Sequence, residues 1–420
     1  MTLRGRIARF WKSLGPGLVT GVSGDDPSGI ATYSIAGARF GAMPLWLLLY
    51  VLPFMIAIQS MCARIGALSG CGLAGNIRRH YSPWLLAPIA TLIVFVNTFN
   101  VGANIYGMAG AVNLLIPIDI RLLAVITSLI VIAMVVFLRY SQIAALFKWF
   151  AMSLFIYGAA LAMVDVDWRS VIIHTFIPTI TPDKDLLILM FAILGTTISP
   201  YMFFWQASQE AEEARQDRPG LKVCKFHVVH RHGMLAQVTR DIKVGMVVSN
   251  AISFFIITLA ASTIFAHGSG NIETLRDAAI ALEPIAGSYA TILFTIGLVS
   301  AGLLAIPVLA GSAAYVVAEV MGWPASLDKP FNRARQFYLV MIASILVGIL
   351  LPFIGITPLQ ALYWTAILNG VAAPLFIMLI VHMANNPNIV GPHRSHALIH
   401  SLGIAALFFM LTGAVFVLIS

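Results

Sequence analysis

The sequence predicts an all-α, polytopic membrane protein of eleven transmembrane helices, built as two inverted five-helix repeats. Three observations carry that prediction. The composition is 60% hydrophobic and only 10% charged, with a mean hydropathy of +0.92 over 420 residues, as in multi-spanning proteins. Apolar segments of about twenty residues recur along the whole chain, the length needed to cross a bilayer. They lie near residues 14–40, 44–68, 84–115, 121–139, 143–164, 186–209, 241–266, 288–320, 336–355, 359–384 and 396–419. Two of them, the first and the sixth, are interrupted at mid-span by a proline among small polar residues. No stretch between spans exceeds ~40 residues, less than a separate soluble domain needs. The basic N-terminus is not followed by a short apolar core and a small-residue cleavage site, so no cleavable signal peptide is expected.

The net charge of +8 raises a nucleic-acid reading, which its distribution sets aside. Five cationic residues (Arg39, Arg121, Arg169, Lys184 and Arg276) fall on one side of the predicted spans, and the other twenty on the opposite side. Apart from the two in the first-helix break, the acids divide almost evenly between the sides. A bias in bases without one in acids follows the positive-inside rule. The expectation is a multi-pass plasma-membrane protein with N-terminus cytoplasmic, C-terminus outside, and lipid as its main surroundings. Residues 1–13 carry Arg4, Arg6, Arg9 and Lys12 beside Ile7, Phe10 and Trp11, a topology signal or a basic interfacial anchor. Cys62, Cys71 and Cys224 map near the cytoplasmic face and match no metal spacing; that reducing compartment predicts free thiols.

The break in the first span is Asp25-Asp26-Pro27-Ser28-Gly29. One Asp at a helix centre costs about 2.5–3.5 kcal/mol on insertion scales, and two stand here. Pro27 has no N–H to donate and disfavours helical geometry at Asp26. Ser28 and Gly29 are weak helix formers. The carboxylates and freed backbone groups must therefore face protein or water, and oxygen ligands at that depth point to a cation. A simple proline kink with one satisfied Asp is the plainer alternative.

Asn97, Asn100 and Asn104 share one face of the third span, as interhelical hydrogen-bond partners or as lining of an aqueous path. In the sixth span, Gly195-Thr196-Thr197-Ile198-Ser199-Pro200-Tyr201 repeats the first span's anomaly. Its hydroxyls can be offered to a ligand or bonded back to their own helix. Span one opens the first set of five and span six the second, and an odd count of five inverts one set against the other. Matched interrupted helices in inverted halves point to a transport site near the midplane. The expected organisation is a basic segment 1–13, a first repeat 14–164, an extracellular loop 165–185, a second repeat 186–384 and an additional helix 396–419. The loop after span six carries His227, His230 and His232, read as a solvated basic loop over a regulatory metal site. Asn369-Gly370, ahead of Pro374 in span ten, is a further polar spot able to face the site.

Gly15-Pro16-Gly17, Asp26-Pro27-Ser28-Gly29, Ala31-Thr32 and Ala36-Gly37-Ala38 resemble the first helix of Nramp divalent-metal transporters. Gln59-Ser60, Ala63-Arg64 and Gly66 in the second span, and Gly195-Thr196-Thr197 with Ser199-Pro200-Tyr201 in the sixth, resemble the same family, so the likeness runs from Gly15 to about residue 385. It implies a leucine-transporter-like fold with Asp26 as principal metal ligand. The departures resemble the family's magnesium-transporting branch. The family's Asn falls on Gly29, its metal-binding Met on Ser199, and its two sixth-helix histidines on Tyr201 and Gln206. Acids of the third helix are replaced by Asn97, Asn100 and Asn104.

The chemistry of those positions agrees with that branch. A thioether favours late transition metals; a carboxylate, hydroxyls and carbonyls form a hard set suited to Mg²⁺ or Mn²⁺. The expected metal-contacting residues are Asp26, Gly29, Thr196 and Ser199. Asp25, Ser28, Thr197, Tyr201, Gln206, Asn97, Asn100, Asn104 and Asn369 are expected around them or along the path. The expected function is alternating-access transport of Mg²⁺, with Mn²⁺ as a further substrate, without proton coupling. No cofactor, nucleic acid or obligatory protein partner is expected. An amino-acid carrier of the same fold and a cation channel are the alternatives. An enzyme is not expected, since no Ser/His/Asp set or His-Glu-x-x-His occurs and no histidine lies near either break.

Overall fold

The computed structural model describes residues 20–21, 23–138, 142, 153–216, 224, 234–268, 272–283 and 287–419. These residues are helical and carry no strand. In chain order the principal helices are α1 (Pro27–Phe40), α2 (Leu45–Ser69), α3 (Leu73–His80), α4 (Pro83–Asn113), α5 (Ile120–Phe137), α6 (Ile156–Leu161), α7 (Trp168–Phe176), α8 (Lys184–Thr197), α9 (Pro200–Gln216), α10 (Met234–Thr263), α11 (Leu275–Ile280), α12 (Ala290–Met321), α13 (Arg335–Gly348), α14 (Pro358–Met383) and α15 (Ala397–Ile419). Among the described residues nine helices are long and apolar enough to cross a membrane, α8 and α9 counting as one interrupted span. The start of the first span and residues 143–152 of the fifth lie outside the described residues, as do the basic segment 1–13 and the histidines 227, 230 and 232.

Local sequence chemistry sets the helix ends. Asp26, Ser82, Asp119, Asp183 and Thr357 each accept a backbone N–H at a helix start, and proline follows at the first helical position in α1, α4 and α14. Thr357 and Gln360 form a reciprocal capping box. Gly70 and Gly322 end α2 and α12 in the left-handed conformation.

The packing has an internal exchange. The helix after the first break, α1, packs on α10, the second span of the other half; the helix after the second break, α9, packs on α2, the second span of the first half. The third spans of the two halves, α4 and α12, pack on each other. Both exchanged pairs hinge on glycine. A Cβ on Gly37 would meet the backbone of Ile257, and one on Gly66 the backbone of Ala207. Without hydrophobic driving force in lipid, such close backbone approach is a main source of helix association.

The core is a continuous apolar cluster through all the long spans, while α5 and α15 stay largely exposed at its edge, as lipid-facing helices do. Arg39, at the end of α1, pairs with Asp185 at 3.1 Å across an exposed edge. Such a pair contributes ~0–1 kcal/mol.

One expectation about cysteine is corrected. Cys62 is a free, buried thiol, but Cys71 and Cys224 form a disulfide with a Cα–Cα distance of 4.9 Å. The two stand 153 residues apart, so only the fold of the chain onto the start of α3 brings them together. Composition and compartment, used to assign free thiols, carry no information about that approach.

Candidate functional site at the paired helix breaks

Asp26 is the N-cap of α1, and its carboxylate is fully engaged. Oδ1 accepts the Gly29 N–H at 2.9 Å and the Ser28 hydroxyl at 2.6 Å; Oδ2 accepts Asn104 Nδ2 at 2.9 Å. This follows from the sequence: Pro27 forces an extended Asp26 (φ −71°, ψ 171°), and a short acidic side chain there reaches the orphan N–H groups of the next turn. Asp25, one residue earlier, points to a different helix. Its Oδ1 accepts the Ser253 hydroxyl of α10 at 3.3 Å, and its Oδ2 is buried without a hydrogen-bond partner. Both aspartates are 1% exposed.

The asparagine row lies in the core against this break. Asn104 Nδ2 also donates to Asn100 Oδ1 and O, so Asn100 supports the group that holds Asp26. Several of the row's polar atoms are buried and unpartnered: Asn104 Oδ1, Asn100 Nδ2 and both amide atoms of Asn97.

The second break faces the first. A Cβ on Gly29 would stand 3.2 Å from the Thr196 hydroxyl oxygen and 3.3 Å from the Gly24 carbonyl oxygen, so a larger residue here would push the two breaks apart by a few tenths of an ångström. A Cβ on Gly24 would stand 3.1 Å from Met202 Sδ. The Tyr201 hydroxyl donates to the Ser23 carbonyl at 2.7 Å, and the Tyr201 carbonyl accepts from Ser312 of α12. Gly195 lies against Ala366 and Gly370 of α14, which brings Asn369 close, with both amide atoms buried and unpartnered.

Not every residue singled out in the sequence turns to this junction. The Thr197 hydroxyl donates back to the carbonyls of Ile193 and Leu194, and Ser199 back to Gly195 and Thr196, closing turns that the proline would otherwise leave open. Ser199 keeps its lone pairs, since a hydroxyl that donates once can still face a cation. Gln206 bonds to Glu210, further along α9. Sequence reasoning missed Tyr33, which is fully buried beside Ser253, Thr196 and both aspartates, and it missed Ser253 itself. Ser249 and Ser253 stand four apart on α10, a spacing that could have revealed a hydroxyl face in span seven.

The junction is thus a buried, oxygen-rich region between two helix breaks. A carboxylate oxygen (Asp25 Oδ2) and the amide oxygens of Asn97, Asn104 and Asn369 around it have no donor. Buried acceptors left open cost about 1–3 kcal/mol each, so a cation or water is the natural complement.

Comparison with known proteins agrees with this geometry. The family description "Natural resistance-associated macrophage protein-like" (Nramp) matches residues 17–420, extending the resemblance through α15. A protein named divalent metal cation transporter MntH, from Caldanaerobacter subterraneus subsp. tengcongensis, is 24% identical over 96% of this chain and 92% of its own length. Another of that name, from Agrobacterium fabrum, is 29% identical over 72% of this chain and 64% of its own. In structure, the Eremococcus coleocola manganese transporter superposes with a TM-score of 0.74 at 18% identity, over 96% of this chain and 86% of that one. MhsT, solved with L-phenylalanine, superposes with a TM-score of 0.58 at 15% identity, over 97% of each chain. Leucine-transporter-like helices with two facing breaks and a family match across nearly the full sequence lead to one conclusion: the chain belongs to the Nramp family of membrane transporters.

Proposed function

We propose that this protein is a divalent-cation transporter whose substrate is Mg²⁺, with Mn²⁺ also carried, working by alternating access at the junction of the two breaks. The observation that carries the reading is the donor set: Asp26, Thr196 and Ser199 supply oxygen, and no soft atom stands at the Ser199 position. Hard oxygen ligands suit Mg²⁺ and Mn²⁺, and the small Ser199 side chain, in place of a longer one, favours waters that Mg²⁺ sheds reluctantly. Asp26 is the principal ligand in this reading. Gly29, Thr196 and Ser199 complete the contact, and Asp25 adds attraction from the α10 side. The surrounding amides of Asn97, Asn100, Asn104 and Asn369 order retained water.

The same reading takes residues 14–164 and 186–384 as the two repeats, with 396–419 outside them and the N-terminus on the cytoplasmic side. The exchanged packing of α1 on α10 and α9 on α2 supports the repeats, and the distribution of bases supports the orientation. Alternating access would then move one half against the other around the glycine-lined contacts. An amino-acid carrier on this scaffold is the second reading, favoured by the fold likeness to MhsT. Two neighbouring carboxylates would repel a substrate carboxylate, which counts against it.

The test is competitive uptake of Mg²⁺, Mn²⁺, Ca²⁺ and Cd²⁺ into liposomes holding the purified protein. Saturable Mg²⁺ uptake that resists Cd²⁺ is expected; uptake of Cd²⁺ with no Mg²⁺ flux would reject the assignment. Coupling to protons is not expected. The groups replacing the family's histidines are Tyr201, bound to the Ser23 carbonyl, and Gln206, neither of which titrates near neutrality. Mg²⁺ entry should leave an entrapped pH dye unchanged, whereas acidification in step with uptake would make Asp25 the proton carrier.

A further inference from the structure

A second cluster of open oxygens lies on α9, beyond the junction. Gln206 and Glu210 stand one turn apart on one face, and Glu213 continues it. Gln206 is 0% and Glu210 1% exposed. Gln206 Nε2 donates to Glu210 Oε1 at 2.8 Å, which leaves Gln206 Oε1 and Glu210 Oε2 buried and unpartnered. Among the described residues, Glu213 and Asp241 of α10 add like charge near Glu210, and each of them has interactions of its own. The neighbouring face of α9 behaves differently. There Gln209 bonds to Tyr315, and Glu212 is met by Tyr315 and Ser326. On that face the unpartnered atom is a donor, the Trp205 indole Nε1, whereas on the Gln206–Glu210 side the unpartnered atoms are acceptor oxygens.

A buried carboxylate oxygen without a donor, flanked by like charge, is costly unless a cation joins it. Two acceptor oxygens and no donor select a cation over an anion or a neutral polar molecule. Among the described residues no three His, Cys, Asp or Glu side chains converge to chelate a bare ion. The arrangement instead suits an ion that keeps most of its water and touches the protein at one or two oxygens, the habit of Mg²⁺.

We propose that the Gln206–Glu210 face of α9 is a second binding station for a hydrated divalent cation, contacted by Glu210 Oε2 and Gln206 Oε1 and attracted from further off by Glu213 and Asp241. The station rests on the transport reading and adds a stage to it. Glu210 is eleven residues along α9 from Ser199, about 16 Å at helical rise. It therefore lies on the way from the midplane to the face that holds most of the Lys and Arg. Those bases repel a dication, and a buried acidic station lowers the barrier they raise.

Electron paramagnetic resonance of Mn²⁺ tests the station by counting bound ions per purified chain. The wild type should bind two. Asp26→Asn should bind one, Glu210→Gln one, and the double variant none. Asp241→Asn should keep two while weakening one of them about tenfold. A readout independent of any variant is anomalous scattering from Mn²⁺-soaked wild-type crystals, with a peak expected beside Glu210 and Gln206 as well as one beside Asp26. A wild type that binds one ion, lost in Asp26→Asn and unaffected by Glu210→Gln, overturns the station and leaves the transport reading standing. A wild type that binds none overturns both.

Discussion

Asp26→Asn should abolish saturable Mg²⁺ uptake while leaving the fold in place. Asparagine is as good an N-cap as aspartate, so its oxygen can still accept the Gly29 N–H and the Ser28 hydroxyl. The Asn104 amide, which now donates to Asp26 Oδ2, can turn and offer its unpartnered Oδ1 instead. What disappears is the charge. Removing one partner of a buried ion contact typically costs about 3–5 kcal/mol, or roughly two to three and a half orders of magnitude in affinity. Asp25→Asn should behave differently. Asp25 faces Ser253 on α10, away from the Asn104 side, and in the proposed site it attracts the ion without carrying it. Uptake should fall by about tenfold, corresponding to about 1.4 kcal/mol, and stay measurable. Equal loss in both variants, or full activity in Asp26→Asn with a normal gel-filtration profile, would contradict the assignment.

Ser199→Met should shift selectivity from Mg²⁺ toward Cd²⁺ by tenfold or more in competition uptake. The wild-type hydroxyl donates to the carbonyls of Gly195 and Thr196, leaving only hard lone pairs toward the junction. Methionine adds a thioether and removes room for a retained water, and both changes favour a softer, less hydrated ion. The required differential is about 1.4 kcal/mol per tenfold, within reach of one ligand exchange. The structure adds a reason for a control. Any substitution of Ser199 also releases the two carbonyls it now occupies. Ser199→Ala releases them without adding sulfur, so it should keep the preference for hard ions and isolate the thioether's effect. A Cd²⁺/Mg²⁺ ratio unchanged in a well-folded Ser199→Met protein would show that the position does not face the ion.

The sequence by itself determined the helical, membrane-spanning character of the chain, the sites of both breaks and the family. These depend on local quantities: apolar length against bilayer thickness, the missing N–H of Pro27 and Pro200, and the caps written into Asp26 and Thr357. It also placed Asn97, Asn100 and Asn104 on one face, since a helix fixes that spacing whatever surrounds it. The tertiary structure alone decided which polar groups meet. It turned neighbouring Asp25 and Asp26 to different helices, because an extended residue before Pro27 breaks the helical register between them. It bent the Thr197 and Ser199 hydroxyls back onto their own chain. It set Tyr33 and Ser253 beside the aspartates, and it joined Cys71 to Cys224 across 153 residues. Such contacts depend on how helices distant in sequence lie against each other. Glycines at 37, 66 and 195 permit those approaches, but no local pattern states their outcome.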